Sequence, residues 1–222
     1  MYQLFVGLFT EGKTDNRFLK SIVEKTIYKI AANASQDIEV NVQIITIEEK
    51  GKGFTQQVLN ASKNGLDWFG IHFLCVHKDA DSPSDTNTFE YQIQPAQKAL
   101  ESRDYDEYCK ILVPIVPIQE MEAWMLVDKE LLKKQIGTNK SDKELGINKP
   151  PEQLANPKEV IKNAIVIARQ GFTKRRRRQL TISQLYLPIG QEIDIEKLNK
   201  LSSYQKFSKS IIQAFAKLNL LH

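Results

Sequence analysis

The chain has 222 residues, 41% of them hydrophobic and 26% charged, and its 31 basic and 27 acidic side chains give a net charge of +4. This composition is ordinary for a soluble globular protein, and the length suits one large domain or a domain with an appendage. No apolar run approaches the roughly 20 residues that cross a bilayer, and the first residues lack the features of a secretory signal. We therefore expect a cytoplasmic protein that makes no contact with a membrane.

Apolar runs predict four strands separated by helices. The runs cover residues 4–10, 38–47, 71–77 and 110–117. Helical spacing of apolar residues follows Thr14, recurs at about 55–64 and, opened by Pro95, at about 95–102. Another helix begins in EMEAWMLVD, after the fourth run. Strands that alternate with helices predict an α/β fold with a mostly parallel, four-stranded sheet flanked by helices.

The apolar runs that predict strands end before about Asp128, and none follows. Residues 137–159 are polar and rich in proline, which is typical of a long surface loop. Helical patterns follow at about 157–169, 193–201 and 203–218. We therefore predict an α/β domain over residues 1–135 and a helical C-terminal extension over residues 136–222 that packs on it. Cys75 and Cys109 lie in apolar runs and are expected to be buried, reduced thiols.

The segment GLFTEGKT, from Gly7 to Thr14, matches the phosphate-loop pattern G-x-x-x-x-G-K-[ST]. A phosphate loop curls its backbone N–H groups around the phosphates, which requires small residues between the glycines. Here Leu8 and Phe9 are bulky and continue the first predicted strand. Glu11 would also place a carboxylate beside anionic phosphates. A nucleotide hydrolase that uses this segment is therefore the third of our hypotheses.

Carboxylates follow two of the predicted strands. Glu11 comes just after the first strand, and Asp79 and Asp81 come just after the third. In an open parallel sheet, sites form at the carboxyl ends of the strands, and Asp-x-Asp in extended chain projects both carboxylates to one side. Hard oxygen ligands of this kind suit Mg²⁺ or Mn²⁺. The alternative is structural, with Glu11 capping the next helix and the Asp-rich segment forming a solvated turn.

Several segments together resemble a known fold. Glu-Gly-x-Thr-Asp after the first strand and Asp-x-Asp after the third resemble the Toprim fold of topoisomerases, bacterial primases and the overcoming-lysogenization-defect nucleases. The chain is most similar to an uncharacterised bacterial Toprim-like family that is often encoded beside ATPases in defence-type loci. The matching segments span nearly the whole chain: EGKTDNRFL, HKDADS, PIQEMEAWMLVD, PPEQLANPKEVIKNA and LSSYQKFSKSI.

This resemblance implies roles for individual residues. Glu11 would be a metal ligand or proton-transfer group, Asp79 and Asp81 would be metal ligands, and Glu122 a further acidic residue of the site. Glu122 could instead favour a helix dipole, and Glu120 is a less clear candidate because residues two apart on a helix face different ways.

Basic residues provide candidate contacts to a phosphate backbone. Lys13 and Lys78 flank the acidic residues and could neutralise charge on a phosphodiester, although both could be ordinary surface lysines. His77 is left out of the predicted site. The run Lys174, Arg175, Arg176, Arg177 and Arg178 could bind nucleic acid or serve only as a solubilising surface.

The first hypothesis for function is therefore Mg²⁺- or Mn²⁺-dependent hydrolysis of phosphodiester bonds in DNA or RNA. Sequence preference should be weak, because no base-reading module is present. The resemblance also implies an ATPase partner and a role in phage defence. The second hypothesis is a non-catalytic nucleic-acid-binding or regulatory subunit of an ATPase complex.

Overall fold

The computed structural model describes residues 1–48, 53–171, 173 and 180–221. In this part of the chain four strands form one sheet: β1 (Tyr2–Phe9), β2 (Ile38–Ile44), β3 (Phe73–His77) and β4 (Leu112–Ile115). Their order is β2-β1-β3-β4 and every neighbouring pair is parallel. The predicted α/β class with a parallel sheet is confirmed.

Helices cover both faces of the sheet. Among the described residues they are α1 (Asp15–Ala31), α2 (Phe54–Phe69), α3 (Thr86–Thr88), α4 (Gln94–Glu101), α5 (Glu122–Met125), α6 (Lys129–Ile136), α7 (Pro157–Ala168), α8 (Tyr186–Glu192), α9 (Ile195–Leu198) and α10 (Ser202–Lys217). A π-helical turn, Phe89–Ile93, joins α3 to α4, and 3₁₀ turns cover Pro151–Gln153 and Ile182–Gln184.

The core has two parts, one on each face of the sheet. Side chains alternate along a strand, so Leu4, Val6 and Leu8 of β1 all face α1 and the C-terminal helices. On the other face, Leu74 and Val76 of β3 pack with residues of α2 and α4. The helical C-terminal region therefore completes the first part of the core and lies on the same face of the sheet as α1.

Two helices differ from their predicted bounds for identifiable reasons. The helical segment predicted to begin at Pro95 already begins at Thr86. Pro95 has no N–H to donate, and the π-helical turn just before α4 accommodates it, so the chain stays helical through this point. Helix α2 continues to Phe69 and stops at Gly70, whose φ of 59° gives the left-handed conformation typical of a helix C-cap.

Other expectations about the core are met. Cys75 and Cys109 are free and buried, and burial raises the pKa of the Cys109 thiol to about 12. The loop after α6 carries two fully buried anchors, Leu145 and Ile147, so this polar segment is tied to the core at that point. Within the described residues, no helix is both long and apolar enough to span a membrane.

Candidate functional site

The carboxyl ends of β1, β3 and β4 bring three loops to one edge of the sheet. Beyond β3 and β4 the two chains continue side by side: the Lys78 N–H donates to Ile115 O (3.0 Å) and the Asp81 N–H to Gln119 O (2.9 Å). Asp81 and Gln119 both have positive φ, 49° and 64°. Backbone strain of this kind in non-glycine residues is concentrated at functional sites. This edge of the sheet is therefore the candidate functional site.

Asp79 is held in place from two sides. Its Oδ1 accepts a hydrogen bond from the Met121 N–H (2.8 Å) and lies 3.1 Å from His77 Nε2. In the described part of the chain, Oδ2 of Asp79 accepts no hydrogen bond, and the side chain keeps 23% of its exposure. Asp79 therefore has a fixed orientation and one oxygen available to a ligand.

His77, which sequence reasoning left out, lies directly beneath this carboxylate. The imidazole is 1% exposed and lies between Asp79 and Asp15, whose Oδ2 is 3.6 Å from His77 Nδ1. Burial alone lowers the pKa of His77, but its hydrogen bond to Asp79 and the charges of Asp79, Asp15 and Glu11 outweigh burial and raise it. The raised pKa favours an imidazolium between the two carboxylates.

Asp15 joins the cluster from the start of α1. Its Oδ2 accepts the Gly12 N–H (3.0 Å), and a Cβ on residue 12 would come within 2.7 Å of that oxygen, so glycine permits the close approach. Burial raises the pKa of Asp15, and the charges of Asp79 and Glu122 add to the increase. Thr14 is the N-cap residue of α1, and its side chain makes no capping hydrogen bond.

Lys78 bridges the two exposed carboxylates of the predicted site. Its Nζ lies 2.7 Å from Glu11 Oε2 and 3.6 Å from Asp81 Oδ2, while Glu11 and Asp81 are 54% and 70% exposed. Burial alone lowers the pKa of Lys78, but its hydrogen bond to Glu11 and the charges of Glu11, Asp81 and Asp79 outweigh burial and raise it. Lys78 is therefore a firmly protonated cation among acidic side chains.

Glu122 is buried on the other side of Asp15 and has its own partners. Its Oε1 accepts a hydrogen bond from Tyr186 Oη (2.5 Å) and lies 3.3 Å from Lys158 Nζ. Burial raises the pKa of Tyr186, and its hydrogen bond to Glu122 raises it further. Glu120 instead accepts the backbone N–H of Lys158 (3.1 Å) at the start of α7. Both glutamates therefore contact Lys158, Glu122 through the ammonium group and Glu120 through the backbone N–H.

The predicted metal ligands supply suitable donor atoms but do not converge on one point. Within the described residues, no group of three or more His, Cys, Asp or Glu side chains converges in a geometry that would hold a metal ion. The predicted ligands nevertheless offer hard carboxylate oxygens, and Glu11 and Asp81 already share one cation, the Lys78 ammonium. A Mg²⁺ or Mn²⁺ ion would compete with Lys78 for these oxygens.

The predicted nucleic-acid contacts divide into two groups. Lys13 is exposed in the loop before α1 and lines a small cleft with Thr10 and Glu11, beside the cluster. The basic run from Lys174 to Arg178 lies outside the described residues, so its proposed role stays a prediction.

Some residues of the site could have been found by their place in the sequence. Asp15 ends the Glu-Gly-x-Thr-Asp motif, His77 opens HKDADS, and Lys158 lies within PPEQLANPKEVIKNA. Tyr186 carried no signal, because nothing in its neighbourhood indicates that α8 returns to the sheet edge.

Residues 10–211 match the family described as "Domain of unknown function (DUF4276)". This range contains every residue of the cluster, from Glu11 to Tyr186. No curated protein and no solved structure matches the chain. Because the match extends over most of its 222 residues, the chain belongs to the DUF4276 family.

Proposed function

We propose that this protein hydrolyses phosphodiester bonds of nucleic acids with Mg²⁺ or Mn²⁺, at the acidic cluster where β1 and β3 end. The observation that supports this most is the position of Asp79. Its Oδ1 is fixed by the Met121 N–H and His77, while Oδ2 accepts no hydrogen bond from the described residues. A carboxylate held in one orientation with an available oxygen is what a metal ligand requires.

The charge balance of the cluster supports cation binding. Four carboxylates, on Glu11, Asp15, Asp79 and Asp81, surround the two basic groups of His77 and Lys78. The pKa of Asp15 is raised despite the neighbouring histidine, with burial as the main cause and the charges of Asp79 and Glu122 adding to it. Negative charge is thus in local excess, and an added cation would relieve it.

Roles for the chain's own residues follow from their positions. When bound, a divalent cation activates water and stabilises negative charge on the phosphate oxygens. Glu11 is exposed and adjacent, so it can accept the proton of the attacking water. Lys78 can leave its ion pair to neutralise a phosphate oxygen, while His77 keeps Asp79 oriented.

The choice of a nucleic-acid substrate rests on two further points. The motifs around Glu11 and Asp79 resemble those of Toprim nucleases, and the four-stranded parallel sheet with acidic residues at its carboxyl edge is compatible with that resemblance. Lys13 beside the cluster and the basic run at 174–178 could bind a phosphate backbone. An ATPase partner and a role in phage defence belong to the same proposal.

A cleavage assay tests the proposal. Purified protein is incubated with plasmid DNA, linear DNA and RNA in the presence of Mg²⁺, Mn²⁺ or EDTA. We expect metal-dependent cleavage that falls by about 100-fold or more in Glu11→Ala and in Asp79→Ala, since a group that transfers a proton contributes at least that much and loss of a metal ligand has a comparable effect.

Asp37→Ala is the matched control for this assay. Asp37 is an exposed carboxylate just before β2, at the opposite edge of the sheet, so its loss changes the net charge equally without touching the cluster. Cleavage should be unchanged in this variant. Activity that survives both Glu11→Ala and Asp79→Ala would place the chemistry elsewhere.

A non-catalytic binding or regulatory role is the second candidate, and one observation favours it. Lys78 already provides a counter-charge to Glu11 and Asp81, so part of the cluster is balanced without a metal. Absence of cleavage with every metal and substrate, together with retained nucleic-acid binding, would favour this role.

The phosphate-loop hypothesis has no structural support at its first half. Gly7, Leu8 and Phe9 belong to β1, where Gly7 and Leu8 are paired with both β2 and β3 and Phe9 is paired with β3. The side chain of Leu8 is fully buried, and a Cβ on residue 7 would come within 2.8 Å of Ile71 and Leu74. This segment is a central strand, so its N–H groups do not curl around a phosphate.

A further inference from the structure

A cleft opens directly beside the acidic cluster, on the α2 side of the sheet. Its volume is about 180 Å³, and Glu11 and Lys78 form part of its wall. The rest of the wall includes Phe9 at the end of β1, Phe54 and Gln57 in the first turns of α2, and Gln92 in the π-helical turn. A group bound there would lie next to whatever contacts Glu11.

The walls of the cleft suit a flat aromatic group. Phe54 contributes a half-buried phenyl ring as the stacking surface, while Phe9, at 6% exposure, belongs to the core beneath the cleft. Nucleobases stack on aromatic side chains regardless of the base sequence. Among the described residues, the side-chain amide of Gln92 makes no hydrogen bond, so its donor and acceptor are available to the edge of a base.

The volume of the cleft limits the size of that group. An apolar protein cavity of about 150 Å³ holds one benzene ring, so about 180 Å³ accommodates one six-membered ring with its substituents. A pyrimidine fits within this space, whereas the second ring of a purine would extend out of the open side of the cleft, with less of it in contact with the walls.

We propose that this cleft binds one unstacked pyrimidine base adjacent to the phosphodiester at the acidic cluster, which makes single-stranded nucleic acid the preferred substrate. A base inside a duplex would first have to unpair and leave its stack, which is unfavourable. The inference deepens the proposed function and rests on it for the identity of the bound polymer.

Binding of labelled oligonucleotides tests this inference. Fluorescence anisotropy in EDTA, where the proposed cleavage is blocked, compares oligo(dT), oligo(dA) and a duplex of the same length. We expect oligo(dT) to bind most tightly. Phe54→Leu keeps apolar bulk but removes the stacking surface, so it should weaken oligo(dT) binding by about tenfold. Gln92→Ala should weaken it as well.

Trp68→Leu is the matched control, because Trp68 is an exposed aromatic residue at the far end of the same helix. It should bind oligo(dT) as the wild type does, and thermal unfolding should confirm that both leucine variants are folded. Equal or tighter binding of oligo(dA) or duplex, or an equal effect of Phe54→Leu and Trp68→Leu, would overturn the inference.

The two proposals fail in different ways. Metal-dependent cleavage without preference for single strands overturns the cleft assignment and leaves hydrolysis standing. Selective binding of oligo(dT) that depends on Phe54, without cleavage by any metal, overturns hydrolysis and leaves the cleft standing. Absence of binding to all three probes and of cleavage overturns both.

Discussion

His77 is a buried imidazole between two carboxylates, and its position explains the different surroundings of the acidic residues. Asp79 contacts it and is fixed, whereas Glu11 and Asp81 are more exposed and pair with Lys78. Asp15 lies on its other side, where burial raises its pKa. The cluster therefore has a buried, hydrogen-bonded interior around His77 and an exposed outer part formed by Glu11 and Asp81.

Asp15→Asn should stabilise the protein near neutral pH. The amide keeps an acceptor for the Gly12 N–H but removes a charge that burial and the charges of Asp79 and Glu122 disfavour. Because the folded pKa of Asp15 is raised, its protonated form supports the native state below the unfolded pKa, and this support is lost as pH rises through the folded value. The thermal midpoint of the variant should exceed that of wild type by an amount that grows as pH rises above the unfolded pKa of about 3.9 and becomes constant above the raised folded pKa.

Asp37→Asn provides the comparison, since Asp37 is exposed. It should leave the midpoint unchanged across the same range. A lower midpoint for Asp15→Asn at neutral pH would show that the ionised carboxylate contributes net stability to the folded cluster.

Tyr186→Phe should destabilise the protein more than Tyr204→Phe. Tyr186 donates to the buried carboxylate of Glu122, whereas Tyr204 shares a hydrogen bond with the hydroxyl of Thr26. A hydrogen bond to a charged group contributes about 1.5–3 kcal/mol and a neutral one about 1 kcal/mol. Urea unfolding measures both free energies, and an equal or reversed order would show that Lys158 alone satisfies Glu122.

At the level of secondary-structure elements, the hydrogen bonds of one lysine and the close approach of one glycine fix α8 against α1. Lys25 of α1 donates to the backbone carbonyls of Gly190, Gln191 and Ile193 at the end of α8. Gly190 itself lies so close to α1 that an added Cβ would meet Phe18 O at 2.8 Å. Since α8 also carries Tyr186, this junction fixes the partner of Glu122.

Gly190→Ala should therefore destabilise the fold by about 1–3 kcal/mol, because the new methyl group meets backbone that cannot move independently. Gly171→Ala is the control, since a Cβ there would meet no atom of the described residues within 4 Å. Chemical unfolding of both variants measures the difference. Equal stability of the two would show that α1 and α8 can separate at little cost.

The strands could be predicted well because a buried parallel strand is a short apolar run, as in residues 4–10 and 71–77. The ends of the strands could not be predicted, because a strand ends where the neighbouring strand no longer pairs with it. Ile45 still donates to Leu8 O, but β1 ends at Phe9, so the apolar run at 38–47 loses its partner. The start of α3 at Thr86 was hidden by Pro95, which normally opens a helix.

The site could be predicted in part from the chain order of its residues. Glu11, Asp79 and Asp81 each follow a strand, and the carboxyl ends of parallel strands lie at one edge. The position of His77 at the start of HKDADS could have marked it as a candidate, but no sequence feature reveals the two carboxylates beside it. Tyr186 lies 64 residues from Glu122, a distance that only the folded chain closes.

At the level of the whole molecule, one part of the core includes residues from the beginning, the middle and the end of the chain. Trp124 packs against Tyr204 and Phe207 of α10, and its Nε1 donates to Ser203 Oγ (2.8 Å). Helix α5, which begins at Glu122, is thereby tied to the C-terminal region. The edge of the sheet that carries the acidic cluster is consequently braced from both halves of the chain.

The central claim is that this acidic edge binds a divalent cation, and Mn²⁺ binding followed by electron paramagnetic resonance tests it most directly. Wild-type protein should bind Mn²⁺, Asp79→Asn should lose this binding, and Asp37→Asn should retain it, with all three equally folded by circular dichroism. Failure of the wild type to bind Mn²⁺, or undiminished binding by Asp79→Asn, would contradict the claim.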